Sequence, residues 1–188
     1  LLSDPGFNLS AASVSVEVGS YEDPVDREGL SHFLEHMLFL GTEKYPDVDE
    51  YSTYLKTNGG MSNAYTARDH TNYQFQVLPD AFDGALDRFS QFFIGPLFTE
   101  EYTAREVNAV NSEYQKNIMS DGWRQFRMSG LFANESHPAA KFNIGNLETL
   151  GDIDRMELIE FYREHYSANR MGLAMLSTHS LDEMEKWA

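Results

Sequence analysis

Over residues 12–19 valines alternate with polar side chains: Val14, Val16 and Val18 fall on one side, Ser13, Ser15 and Glu17 on the other. A period of two is that of a strand with one buried face. It returns over 72–78, where Tyr73, Phe75 and Val77 alternate with Asn72, Gln74 and Gln76. A second strand is expected over 61–67, and the short polar link between them predicts an antiparallel hairpin. Residues 171–177 read as a further strand, and 1–5 as a strand end running into a turn.

Elsewhere the apolar period lengthens to that of a helix. Leu30, Phe33, Leu34, Met37 and Leu38 form one stripe after the loop marked by Asp23-Pro24 and Gly29, and Gly41 ends it. Residues 47–57 point Tyr51, Tyr54 and Leu55 inward and close at Asn58-Gly59-Gly60. A helix starting at Pro79-Asp80 gathers Phe82, Ala85, Leu86, Phe89 and Phe93 and stops by Pro96. Thr99 is the expected N-cap of a long helix reaching Met119, with Glu100 and Glu101 in its first turn and Val107, Val110, Tyr114 and Ile118 on its apolar face. Helices are also expected over 123–132, 154–166 and 181–188, with a loop through His137-Pro138. Trp123, Phe126 and Phe132, at helical spacing, are expected to pack in the core or against another domain. Interleaved helices and strands with an antiparallel pair give an α+β fold, a mainly antiparallel sheet packed against several helices. One domain over 1–188 is expected. The ends read as cut, since the chain lacks an initiator Met and stops inside a helical pattern.

Composition narrows the chemistry. A net charge of −16, from 14 Lys and Arg against 30 Asp and Glu, argues against nucleic acid. No apolar run is long enough to span a membrane. There is no cysteine, so a metal would be held by histidine and carboxylate. The missing cysteine does not fix the compartment; a cytoplasmic setting is favoured, with a periplasmic or secreted one left open by the missing N-terminus.

His32 and His36 stand four apart on a predicted helix, one turn apart on the same face, so both imidazoles reach a single ion. Glu35, three from His32, shares that face and can reach a water there without being a ligand. This His-x-x-Glu-His order is the inverse of the more familiar zinc-protease motif. A catalytic zinc site needs a third protein ligand and an open position. The long helix offers Glu106 and Glu113, seven apart and nearly on one face, and spacing alone does not choose between them. Such a site would activate water for attack on a carbonyl, with Glu35 taking the proton and passing it to the leaving amine. A structural zinc module would instead close the site with a fourth ligand, for which His70, His137, His165 and His179 are the candidates.

The stretch from Gly29-Leu30-Ser31-His32-Phe33-Leu34-Glu35-His36 through Tyr45-Pro46 resembles the pitrilysin-type (inverzincin) metallopeptidases, most of all their insulin-degrading enzyme and nardilysin branch. Gly60-Met61-Ser62-Asn63-Ala64-Tyr65-Thr66, Arg105-Glu106 through Ser112-Glu113, His137-Pro138 and Lys141-Phe142 extend the resemblance along the chain. It implies a fold like that family's metallohydrolase domain and one zinc ion held by His32, His36 and Glu113, with Glu106 as a supporting acid. It implies that a peptide substrate adds to a sheet edge near Asn63 and Ala64. Phe39 and Tyr65 would line a side-chain pocket or pack in the core. Members are much longer, so a C-terminal half is expected to supply an Arg and a Tyr that stabilise the oxyanion. A homo-oligomer of that longer protein is compatible with the reading. The competing reading is a non-catalytic zinc-binding or partner-interaction domain of the same fold.

Overall fold

The computed structural model describes all 188 residues, Leu1–Ala188. Five strands, β1 (Leu2–Ser3), β2 (Ser10–Val16), β3 (Met61–Thr66), β4 (Thr71–Val77) and β5 (Met171–Ser177), form one sheet in the order β1-β5-β2-β4-β3. All neighbours are antiparallel except β1 with β5, which run parallel. The hairpin of β3 and β4 pairs Thr66 with Thr71 and Met61 with Gln76, leaving β3 at the sheet edge. Eight α-helices accompany the sheet: α1 (Leu30–Met37), α2 (Glu50–Thr57), α3 (Phe82–Ser90), α4 (Glu100–Asn117), α5 (Asp121–Leu131), α6 (Leu147–Leu150), α7 (Arg155–His165) and α8 (Leu181–Trp187). The fold class is α+β, as the periodicity predicts.

The core follows the two periods. Val14 and Val16 of β2 and Tyr73, Phe75 and Val77 of β4 are buried on the face that receives the helices. Against them pack Leu30, Phe33, Leu34 and Met37 of α1, and Phe82, Ala85, Leu86 and Phe89 of α3. Phe39, Tyr51, Phe89 and Phe92 form an aromatic cluster, with Phe39–Phe92 and Tyr51–Phe92 centroids 5.0 and 4.9 Å apart.

Three expectations change. Trp123, Phe126 and Phe132 are 40%, 38% and 82% exposed, so they are not core residues of this chain. Helical spacing identifies an apolar stripe but not what covers it. Ile118 follows the last turn of α4 and is exposed, whereas Val107 and Val110 are buried as expected. Thr99 is extended at the N-cap position of α4, yet its side chain makes no capping bond.

The start of α1 is fixed from outside the helix. Gly29 is its N-cap, with φ of 93°, and carries no side chain to cap with. Asp23, 1% exposed, accepts from the amides of Gly29 and Ser31 at 2.8 Å each, satisfying two amides at the N-terminus of α1. The loop bearing Asp23 is held in turn by Lys141, whose ammonium donates to the Tyr21 and Asp23 carbonyls at 2.6 Å. Burial pushes the Asp23 carboxyl up to about 6, against the bonds from Ser31 and Gly29 that favour its charge. The Ser31 hydroxyl, within reach of the Gly19 carbonyl at 2.8 Å, also donates to Asp23 Oδ1, so burial acts on a carboxyl that is already well supplied with donors.

That raised value has a defined sign. Between the unfolded value of 3.8 and about 6 the folded chain binds more protons than the unfolded one, so this carboxyl's contribution to stability falls as pH rises through that window. Asp23→Asn should abolish the effect. In urea unfolding, the stability of the native chain relative to the variant should be greater near pH 4 than near pH 7 by about 2 kcal/mol. A difference that does not vary with pH would mean that Asp23 titrates normally.

Candidate metal centre

Two helices and one loop meet at the site. His32 and His36 project from α1 toward α4, their rings 4.9 Å apart and nearly perpendicular. Glu113 reaches in from α4, its Oε2 3.3 Å from His32 Nε2 and 3.6 Å from His36 Nε2. One ligand atom from each of the three lies within 4.8 Å of the others. Tetrahedral zinc with bonds of about 2.0–2.1 Å places its ligand atoms about 3.3 Å apart, so the cradle has the right size and donor chemistry for that ion.

The outer atoms orient the inner ones. His32 Nδ1 lies 2.7 Å from the Ile144 carbonyl oxygen, which only accepts, so Nδ1 carries the proton and Nε2 keeps its lone pair for a cation. His36 Nδ1 faces Glu106 Oε2 at 3.4 Å, the looser carboxylate version of the same arrangement. Ile144 reaches His32 because two backbones nearly touch: a Cβ on Gly29 would sit 2.3 Å from Gly145 Cα. Gly29 and Gly145 both have positive φ, 93° and 85°, which side chains of L residues rarely adopt.

Electrostatics follow the geometry. Burial alone would lower His36, but its bonds to Glu106 and Glu113 and the charge of Glu35 outweigh it and lift the imidazole to about 9. The bonds from His32 and His36 hold Glu113 far below the usual carboxylate range, and His36 likewise lowers Glu106. Glu35 moves the other way. It is 7% exposed, and burial raises its carboxyl despite the nearby His32 and a bond from Thr66. One wall of the site thus holds two readily ionised carboxylates and a third whose proton is held more tightly, the pattern expected of acid–base machinery.

A cleft of about 560 Å³ opens over these groups, lined also by Phe39, Asn63, Ala64, Tyr65 and Trp123. Every site residue expected from the sequence therefore borders one space. Asn63 and Tyr65 are exposed on β3, and Ala64 is half-buried. Tyr65 turns its hydroxyl to His70 Nε2 at 3.3 Å. Phe39 borders the cleft and packs against Tyr51, Tyr73 and Phe92. The histidines considered as a fourth ligand are engaged elsewhere: His70 with Asp69, His137 capping the turn at Ala139, His165 against Phe161 and Arg170, His179 on the Pro79 carbonyl. Sequence reasoning gave no role to Thr66, whose hydroxyl meets Glu35, or to Ile144, which acts through its backbone. Strand alternation through Ala64 could have found Thr66. A carbonyl contact leaves no trace in residue type.

Comparison with known proteins gives a concordant picture. The chain is 53% identical over 192 residues to "Insulin-degrading enzyme-like 1, peroxisomal" of Arabidopsis thaliana, covering 98% of this chain and 20% of that protein. It is 48% identical over 195 residues to "Putative zinc protease mug138" of Schizosaccharomyces pombe, covering 100% of this chain and 20% of that protein. The crystal structure of pitrilysin superposes with a TM-score of 0.95 at 41% identity, over 99% of this chain and 20% of that one. The chain thus spans about a fifth of the length of these relatives. The sequence profile of the insulinase family matches residues 1–134, and with that match this chain belongs to the insulinases, Peptidase family M16.

Proposed function

We propose that residues 1–188 form the metal-holding domain of a zinc endopeptidase that cleaves peptides or small unfolded polypeptides. The observation that carries the reading is the convergence of His32, His36 and Glu113 on one point, beside the buried carboxyl of Glu35. The family is one of metallopeptidases, and a relative is named a zinc protease. His32, His36 and Glu113 would hold the ion, with Ile144 and Glu106 fixing the two imidazoles. Zinc, when bound, supplies the Lewis acidity that polarises a scissile carbonyl and acidifies water. Glu35 takes the proton of the attacking water and delivers it to the leaving amine nitrogen.

The peptide would lie along β3. In the hairpin, the amide of Ala67 bonds the carbonyl of His70, making that pair hydrogen-bonded. Antiparallel pairs alternate, so Tyr65, Asn63 and Met61 turn their backbone groups to β4, while Thr66, Ala64 and Ser62 turn theirs to the open edge. An added strand would pair with those residues, with Ala64 nearest the middle. Phe39 and Tyr65 offer apolar and aromatic surface for its side chains, and Asn63 an exposed amide.

The non-catalytic alternative fits less well. A structural zinc is closed by four protein ligands, whereas three donors meet here and the cleft stays open. The lining contains no Lys or Arg to meet an oxyanion, which supports the expectation that a C-terminal half completes the active site of a longer chain.

Three outcomes test this reading. In the full-length protein, Glu35→Gln should retain one zinc per chain and lose cleavage of a fluorogenic peptide by at least about 100-fold; undiminished cleavage would remove Glu35 from its role. His36→Ala and Glu113→Gln should each reduce zinc content by elemental analysis after dialysis, since each removes one of three ligands; full retention would place the ion elsewhere. The isolated 188-residue chain should show little or no turnover of the same peptide, and zinc- and Glu35-dependent cleavage by it would make the second half dispensable.

A further inference from the structure

Glu35 has one side-chain hydrogen bond, from the Thr66 hydroxyl to Oε2 at 2.6 Å. Thr66 is the last residue of β3. Its side chain lies on the half-buried side of the strand with Ser62 and Ala64, and its backbone amide and carbonyl face the open edge where a peptide would pair. One residue thus touches the base with its side chain and borders the substrate track with its main chain.

The contact is specific. Thr66 Oγ1 has a single proton, and Glu35 is the close acceptor for it. The other neighbouring hydroxyl, Thr71 Oγ1, gives its proton to the Val18 carbonyl at 2.8 Å and is 3.5 Å from Thr66 Oγ1. Tyr73 and Tyr166, buried nearby, bond each other at 2.6 Å rather than the carboxyl. With the Thr66 bond removed, the Glu35 carboxyl would keep no side-chain donor to fix its rotamer.

We propose that Thr66 is the positioning residue for Glu35, holding its carboxyl in register with the peptide-binding edge of β3. The proposal rests on Glu35 being the base, as argued above. One oxygen is anchored by Thr66, which leaves the other to face the water. Because the anchor belongs to the edge strand, the base and the peptide backbone share one rigid reference, and a shift of β3 moves both together. A loss of 1 Å in such alignment is costly to the chemical step.

The test uses the full-length protein and two variants. Thr66→Val keeps shape and strand preference but removes the hydroxyl; Thr66→Ser keeps the hydroxyl. Loss of a hydrogen bond to a charged group predicts that Thr66→Val lowers kcat about 10- to 100-fold, with KM within about 2-fold and zinc content unchanged. Thr66→Ser should recover to within about 3-fold of the native kcat. In crystals of the zinc-free Thr66→Val protein the Glu35 carboxylate should have turned from its native rotamer. Native kcat in Thr66→Val, an equal loss in Thr66→Ser, an unmoved Glu35, or lost zinc would each overturn the proposal. Glu35→Gln, run alongside, separates the two readings: if it cleaves normally, the base assignment fails and the role of Thr66 falls with it, whereas an inactive Glu35→Gln with a fully active Thr66→Val sinks the Thr66 proposal alone.

Discussion

The geometry of the whole site depends on where α1 begins. The imidazoles of His32 and His36 and the buried carboxyl of Glu35 sit within five consecutive residues of one short helix, so any slide or rotation of that helix moves all three. An eight-residue helix has little intrinsic stability in water and takes its order from packing and from its ends. Here the start is set by Asp23 accepting from the amides of Gly29 and Ser31, and by the near contact of Gly29 with Gly145. That contact also delivers the Ile144 carbonyl to His32, so the force that starts the helix and the bond that orients its first imidazole share one origin.

From that fixed helix the charge pattern follows. Glu113 and Glu106 come from α4, which packs on α1, and both meet histidine. Their carboxyls fall in pKa while burial raises that of Glu35, which has only a hydroxyl and two half-shared histidine charges to offset its desolvation. Carboxylates on one small wall are thereby separated into those suited to holding a cation and one suited to exchanging a proton. Environment assigns these tasks, since all three residues are glutamates.

Much of this was legible in the sequence, for particular reasons. The strands β2 and β4 and helix α1 have one buried face each, and a buried face writes its period into the chain. The pair His32 and His36 is a local pattern on one helix, readable without tertiary information. The choice of Glu113 over Glu106 was not readable from spacing, because both lie on nearly the same face of α4; the resemblance favoured Glu113, which faces Nε2 of both histidines, whereas Glu106 faces Nδ1 of His36. The parallel pairing of β1 with β5 was invisible, since its partners are more than 170 residues apart in sequence. So were Asp23 and Ile144, which act on backbone amides or through a carbonyl. For Trp123, Phe126 and Phe132 the sequence left core and inter-domain packing open, because periodicity records that a face is apolar and says nothing about what covers it; in this chain the face is exposed.

The division between the two sides of the cleft bears on how such a domain could work within a longer protein. The wall described here contributes two imidazoles, carboxylates and a strand edge, and no Lys or Arg. Hydrolysis of an amide develops negative charge on the carbonyl oxygen as the base takes its proton, and stabilising both changes needs donors opposite the acceptors. On the proposed reading, donors supplied from a C-terminal half would leave Glu35 and Glu113 unpaired with Arg or Lys while the cleft is open. The complete constellation would then depend on how such a half closes around a peptide, and the proposed substrate edge at β3 and the proposed base beside it would need a common anchor on this side. Thr66 is placed to be that anchor, which gives a physical reason for a strand residue and a helix residue thirty-one positions apart to share one short hydrogen bond.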